Sequence, residues 1–88
     1  MRELILELEW LLADERKHQE KRNQLWFALG QKARVQRENE KLSLREMARR
    51  MKISAPSLSD LELGRRHWTR DRMRKFIDII EGTEFKDG

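Results

Sequence analysis

Between Ser43 and Gly64 the chain carries two helix starts, a short gap and a stop. Ser43-Leu-Arg-Glu46 has the form of a capping box, in which a serine hydroxyl and a glutamate satisfy the first amides of a helix. Leu44, Met47, Ala48 and Met51 then recur at i, i+3, i+4 and i+7, the spacing of one helical face. Lys52 and Ile53 make the turn. Ser54 caps the next helix, where Pro56 is acceptable because a first-turn amide has no intrahelical acceptor. Leu58 and Leu61 face inward, and Gly64 is placed to stop this helix in the left-handed conformation. Two short helices joined so tightly are held at a fixed angle, and the rest of the chain must be arranged around them.

What surrounds the pair is also helical. The first glycine is Gly30 and the single proline is Pro56, so no turn signal interrupts the first 29 residues. Leu4, Ile5, Leu8, Leu11 and Leu12 share one face, with Trp10 roughly opposite. Residues 13–24 are strongly polar and charged, so they form a solvent-exposed helical connector or the place where one helix frays before the next. Apolar character returns at Leu25, Trp26, Phe27, Leu29, Ala33 and Val35, which predicts a helix of about four turns ending near Asn39 to Lys41 and burying Leu29 and Ala33. Thr69 caps a last helix with Met73, Phe76, Ile77 and Ile80 on one face, ended by Gly82. No alternating strand pattern competes, so the chain reads as all-α.

The 88 residues suffice for one small domain. Charged residues make up 41% and hydrophobic ones 38%, which implies a small core under a crowded charged surface. Cysteine is absent, which removes disulfides and thiolate metal sites and fits a reducing compartment. No apolar run reaches the ~20 residues that cross a bilayer, and the acidic start lacks the basic region of a signal peptide. A soluble cytoplasmic protein is the expectation. The net charge of +4 is unevenly placed. Residues 1–12 set Arg2 against Glu3, Glu7 and Glu9, whereas residues 25–81 hold fourteen Lys or Arg against eight Asp or Glu. The positive charge therefore lies with the paired helices, as a polyanionic partner would require, although a solvated basic surface gives the same count.

With its helices placed, the span from Leu29 to about Ile77 resembles the Cro/cI-type, or XRE-type, helix-turn-helix domain of phage and bacterial repressors. The resemblance rests on Leu29-Gly30, Ala33-Arg34-x-x-Arg37, Leu42-Ser43, Met47-Ala48, Ile53-Ser54, Leu58-Ser59, Leu61-Glu62, Gly64-Arg65-Arg66 and Met73, each at the family spacing. It implies a lambda-repressor-like fold of four helices over 24–82, here with an additional N-terminal helix in 1–23 and a short tail at 83–88. It implies that the helix over 54–63 enters the major groove of double-stranded DNA, and that Arg37 and Glu62 form a partly buried ion pair; two independent surface charges are the alternative. The function that follows is a sequence-specific DNA-binding transcriptional regulator, a small phage or bacterial repressor acting on an operator as a homodimer and associated with the nucleoid.

The chain departs from the family in places that matter for binding. Lys52 and Lys41 stand where glycines are usual, so each must tolerate positive φ or the turn must differ. Leu44 replaces a polar residue that holds a phosphate, leaving that anchor to backbone amides or to Arg45. Trp68 replaces a proline and is expected to pack over the loop. The outward positions of the recognition helix, Ala55, Pro56, Ser57, Ser59 and Asp60, include no Arg, Lys, Gln or Asn for a bidentate base contact. Ala55 and Pro56 would touch thymine methyls, Ser57 either kind of base edge, and Asp60 would accept from a cytosine amino group or stand as a plain carboxylate off the DNA. Direct readout is thin, and DNA shape and water carry the balance. Phosphate binding falls to Lys41, the Leu44 position, Arg45, Arg65, Arg66, His67 and Arg70, with Arg49 and Arg50 as weaker candidates.

The N-terminal helix is open to two roles. Leu4, Ile5, Leu8, Trp10, Leu11 and Leu12 would either pair with a second copy, doubling the half-sites read, or complete the core of a monomer. A protein-interaction module that binds a partner through this helix, as antitoxins of similar fold do, is the rival function. An anchor on anionic lipid is opposed by Glu3, Glu7 and Glu9. His18 and His67 lie far apart on polar segments without a nucleophile or metal-ligand spacing around them, so neither an enzyme nor a small-molecule substrate nor a metal or other cofactor is expected.

Overall fold

The computed structural model describes residues 2–13 and 19–82, and all five regular elements over them are helices. These are α1 (Arg2–Ala13), α2 (Gln19–Asn39), α3 (Leu44–Met51), α4 (Ala55–Glu62) and α5 (Arg70–Glu81). The charged connector expected over 13–24 lies partly outside the described residues, but its second half is the first part of α2. The boundary placed between residues 23 and 24 thus falls inside a continuous helix. That earlier start needs no apolar side chains, because straight-chain polar residues have good helix propensity and the apolar turns that follow anchor them.

One core joins all five helices. It takes Leu4, Leu8 and Leu11 from α1, Trp26, Leu29 and Ala33 from α2, Met47, Ala48 and Met51 from α3, Leu58 and Leu61 from α4, and Met73, Phe76, Ile77 and Ile79 from α5. On α5 the position that closes the buried face is Ile79, and Ile80 is only partly covered. On α1 the leucines that were candidates for a subunit contact serve the chain's own core. Leu4, Leu8 and Leu11 are exposed by 4%, 2% and 1%, so they have no surface left for a second copy. Burying each gains roughly 1.5–3 kcal/mol, which makes α1 an integral layer of the domain. Ile5, Leu6 and Trp10 stay exposed, and Leu12 is half-buried. Ion pairs brace both flanks of α1, from Glu7 to Lys32 of α2 and from Glu9 to Arg70 of α5.

The glycine of α2 fixes how α2 meets α4. A Cβ at Gly30 would come within 2.4 Å of the carbonyl oxygens of Leu61 and Glu62, so only glycine allows this crossing. The last turn of α4 therefore lies directly on the α2 backbone, and its neighbours are set by that approach.

Candidate nucleic-acid interface

The site begins with how α3 and α4 are started and stopped. Ser43 accepts from the Glu46 amide at 3.0 Å, Ser54 from the Ser57 amide at 3.1 Å and Thr69 from the Arg72 amide at 3.1 Å. Each cap residue has the extended backbone that an N-cap needs. The Glu46 carboxylate turns to Arg49 and Arg50, with Nε donors at 3.2 and 2.9 Å. These hydrogen bonds, Arg49 first and Arg50 next, hold the Glu46 carboxyl at about 2. Arg49 and Arg50 are thereby partly neutralised by their own helix.

Two lysines occupy left-handed backbone. Lys52 ends α3 at φ 63° and Lys41 follows α2 at φ 60°. The Ile53 amide donates to the Ala48 carbonyl at 3.0 Å, closing the turn between α3 and α4. Both positions take the conformation that favours glycine and do so with a lysine.

Arg37 and Glu62 lock α2 to the end of α4. Arg37 Nε donates to Glu62 Oε2 at 2.7 Å, Nη2 to Oε1 at 3.2 Å, and Nη1 to the Leu42 carbonyl at 2.8 Å. Both residues are buried, Arg37 at 8% exposure and Glu62 at 5%. Gln31 Nε2 adds a bond to the Glu62 carbonyl at 2.9 Å. A fork-shaped guanidinium meeting a carboxylate in this way fixes direction as well as distance. The angle of α4 is thus defined by a close backbone approach and a two-bond ion pair.

On the outer side of α4, Pro56 is exposed and Ser57, Ser59 and Asp60 are half-exposed, whereas Ala55, expected to face outward, is half-buried against the core. The Ser54 hydroxyl donates to Ser57 Oγ at 2.8 Å, which leaves the Ser57 proton available to an acceptor outside the chain. The Asp60 carboxylate lies 4.0 Å from Arg65 Nη1 and 3.8 Å from Arg66 Nη2, so it sits among cations. At these distances and exposures the pairs are weak and open to exchange.

Around this face Lys41, Arg45, Arg65, Arg66, His67 and Arg70 are all exposed. Leu44 is half-buried against the core, so what its position offers an anion is its first-turn amide. Arg70 is engaged: its Nε and Nη2 donate to Glu9 at 2.7 and 2.8 Å, and this contact holds the Glu9 carboxyl below the usual carboxylate range. The His67 ring is stacked on Trp26, with centroids 4.1 Å apart and planes 5° from parallel. Trp68 is buried and meets Phe76 edge-on at 5.4 Å. The Trp26–His67 stack and the Glu9–Arg70 pair were not foreseen, since each joins segments remote in sequence and neither has a local pattern.

Two helices of one tight unit, the second presented outward between exposed cations, define a helix-turn-helix domain. A family model described as a helix-turn-helix domain matches residues 28–84. The chain belongs to that family, in agreement with the XRE-like resemblance, and its domain is that of a DNA-binding regulator. Comparison with curated proteins and with solved structures gave no match. No helix among the described residues is long and apolar enough to cross a membrane.

Proposed function

We propose that the protein is a small transcriptional repressor that binds a double-stranded DNA operator as a homodimer, with α4 in the major groove. The observation that carries this reading is the rigid mounting of α4. Its inner side is fixed by Gly30 and the Arg37–Glu62 pair, while its outer side keeps Pro56, Ser57 and Ser59 within reach of solvent and is bordered by Arg65 and Arg66. Ala55, Pro56, Ser57, Ser59 and Asp60 would face base edges, and Lys41, the Leu44 amide, Arg45, Arg65, Arg66, His67 and Arg70 would face phosphates. Arg70 would bind phosphate by exchanging its Glu9 partner.

Dimerisation is supported by the second apolar stripe of α1. Leu6 and Trp10 are exposed by 61% and 55% and border a groove of ≈ 330 Å³ shared with Leu25 and Ala28 of α2. The same stripe favours a second reading, in which an antitoxin-like module binds a different protein there. Selecting bound duplexes from a random pool tests the main reading. A palindromic motif with half-sites about one helical turn apart supports it, and no enrichment refutes it. Light scattering on Leu6→Glu and Trp10→Glu separates the two readings. A wild-type dimer that becomes monomeric supports self-association, whereas a wild-type monomer at high concentration turns the stripe toward another partner.

A further inference from the structure

We infer that Trp26 is a positioning residue for DNA binding: its indole is the platform on which His67 rests, and through that stack it sets how Arg65 and Arg66 leave the end of α4. The inference rests on the DNA-binding reading above.

Arg65 and Arg66 lie in the segment between α4 and α5, which is held at successive points by α2, by the end of α4 and by α5. At its start Gly64, at φ 77°, sits so close to Phe27 that a Cβ there would lie 2.6 Å from the Phe27 backbone. The amides of Arg65 and Arg66 donate to the Asp60 carbonyl at 2.9 and 3.3 Å, closing the end of α4. At its far end Trp68 is buried against Phe76. Between these anchors the His67 ring lies flat on Trp26. The two guanidiniums reach toward Asp60 at 3.8 to 4.0 Å, too far to fix them, so their direction is inherited from the backbone. Taking His67 off its platform frees the peptide that joins it to Arg66.

Trp26 is 1% exposed and its Nε1 has no hydrogen-bond partner among the described residues. The Trp68 indole is buried with an unpartnered N–H as well, so what sets Trp26 apart is the ring laid flat on its face. What an aromatic ring supplies here is a flat face, and His67 uses that face. Trp26, Phe27 and Gly30 together form a seat in α2 for the chain from the last turn of α4 to His67.

The test compares wild type with Trp26→Leu, Trp26→Phe, His67→Ala and His67→Phe, by anisotropy on mixed-sequence duplex DNA across a salt series. Each phosphate contact adds about 0.9 to the slope of log K against log salt, which is roughly an eightfold factor between 1 M and 0.1 M salt. Trp26→Leu and His67→Ala are expected to lose about eightfold or more in affinity at 0.1 M salt and about 1–2 in slope. Trp26→Phe, which keeps a stacked ring, retains most of both, whereas His67→Phe, which keeps the ring but gives up the phosphate contact of His67 itself, loses no more than the share of one contact, about 0.9 in slope. In an Arg65→Ala/Arg66→Ala background, Trp26→Leu costs nothing further. A merely structural Trp26 would lower the urea midpoint and leave the slope of the folded protein unchanged. Should Trp26→Leu fail to fold, the comparison of His67→Ala with His67→Phe, at an exposed position, decides. Wild-type binding with an unaltered slope in Trp26→Leu, or equal losses in His67→Ala and His67→Phe, overturns the inference alone. No binding of duplex DNA by the wild type overturns the DNA reading and the inference together.

Discussion

Replacing Arg37 with methionine isolates the most consequential polar contact in the fold. The substitution keeps an unbranched side chain of similar reach and removes three hydrogen bonds, two to the Glu62 carboxylate and one to the Leu42 carbonyl. Glu62 is 5% exposed, so the carboxylate is left buried without its counter-charge. Breaking a buried pair from one side costs about 3–5 kcal/mol. A chain of 88 residues is stable by only about 4–13 kcal/mol in all. Arg37→Met should therefore remove about a quarter or more of the total, and at about 4–8 °C per kcal/mol the melting temperature falls by roughly 12–40 °C. The companion variant Arg37→Met/Glu62→Met removes both charges and leaves the Leu42 carbonyl short of a donor, a loss of about 1–3 kcal/mol. Urea denaturation of wild type, both single variants and the double gives the cycle, read from midpoints at constant m. The double is expected to be more stable than Arg37→Met alone. A loss under about 1 kcal/mol in Arg37→Met, or a double variant as unstable as the sum of the singles, refutes the view that this pair is a coupled, desolvated unit.

Three further outcomes follow from single positions. Gly30→Ala gains about 1 kcal/mol of helix propensity but drives a Cβ to 2.4 Å from two backbone carbonyls, so it should destabilise by about 2 kcal/mol or more; Gly82→Ala, with nothing within 4 Å and only a φ of 74° to resist it, should cost about 1 kcal/mol or less, and equal losses by urea denaturation would contradict the packing argument. Lys52→Gly relieves left-handed backbone worth about 1–2 kcal/mol against about 0.4–1 kcal/mol of added chain entropy, so its urea midpoint should hold or rise, and a clear fall would show that the lysine side chain holds the turn. Glu46 should titrate near 2 rather than at 4.5 when its carboxyl carbon is followed by NMR. Because the folded value is the lower one, its stabilising contribution is complete above about 4.5 and is lost as pH falls toward 2. Arg49→Ala/Arg50→Ala should return it to the ordinary range, and a wild-type midpoint near 4.5 would mean the two arginines do not hold it.

The parts of the fold written in neighbouring residues were legible. Ser43, Ser54 and Thr69 start helices, Gly64 and Gly82 follow their ends, and the i, i+3, i+4 pattern of Met47, Ala48 and Met51 points to the core. The first helix shows where such reading stops. Periodicity placed Leu4, Leu8 and Leu11 on one stripe, but a stripe does not say whether it meets its own chain or a copy. That was decided by α2 and α5, through Lys32 and an Arg70 that lies 61 residues beyond Glu9. The spare face with Leu6 and Trp10 emerged only after the first stripe was spent. The start of α2 stayed open, as a helical connector or a frayed break, because Gln19 to Gln24 carries propensity without an apolar pattern. Ile79 took the inner position assigned to Ile80, since a long helix presents both i+3 and i+4 neighbours of Phe76 and the packing partner chooses between them.

The candidate interface divides in the same way, and the division bears on how an operator would be read. Residue types on the outer side of α4 were plain from the sequence, but their freedom to act depends on contacts that were not. Ser57 shares one hydrogen bond with the Ser54 hydroxyl, which leaves its own proton for guanine N7 or O6, adenine N7 or thymine O4 and one lone pair for an amino group. Asp60 is flanked by two guanidiniums, which lessens its repulsion of phosphate and competes with any cytosine amino group. A good bidentate base contact contributes about 1–3 kcal/mol of discrimination, and none of the α4 side chains supplies one. Under the proposed function, selectivity then depends on where the rigid unit lets its cations reach, because a fixed arrangement of phosphate contacts favours DNA that deforms easily to meet them. Base pairs between the half-sites, touched by no side chain, would accordingly change affinity as much as those under α4. The investment in Gly30, Arg37, Glu62 and the Trp26 platform is what such a reader requires: a protein that senses DNA shape must hold its own shape more firmly than the DNA holds its.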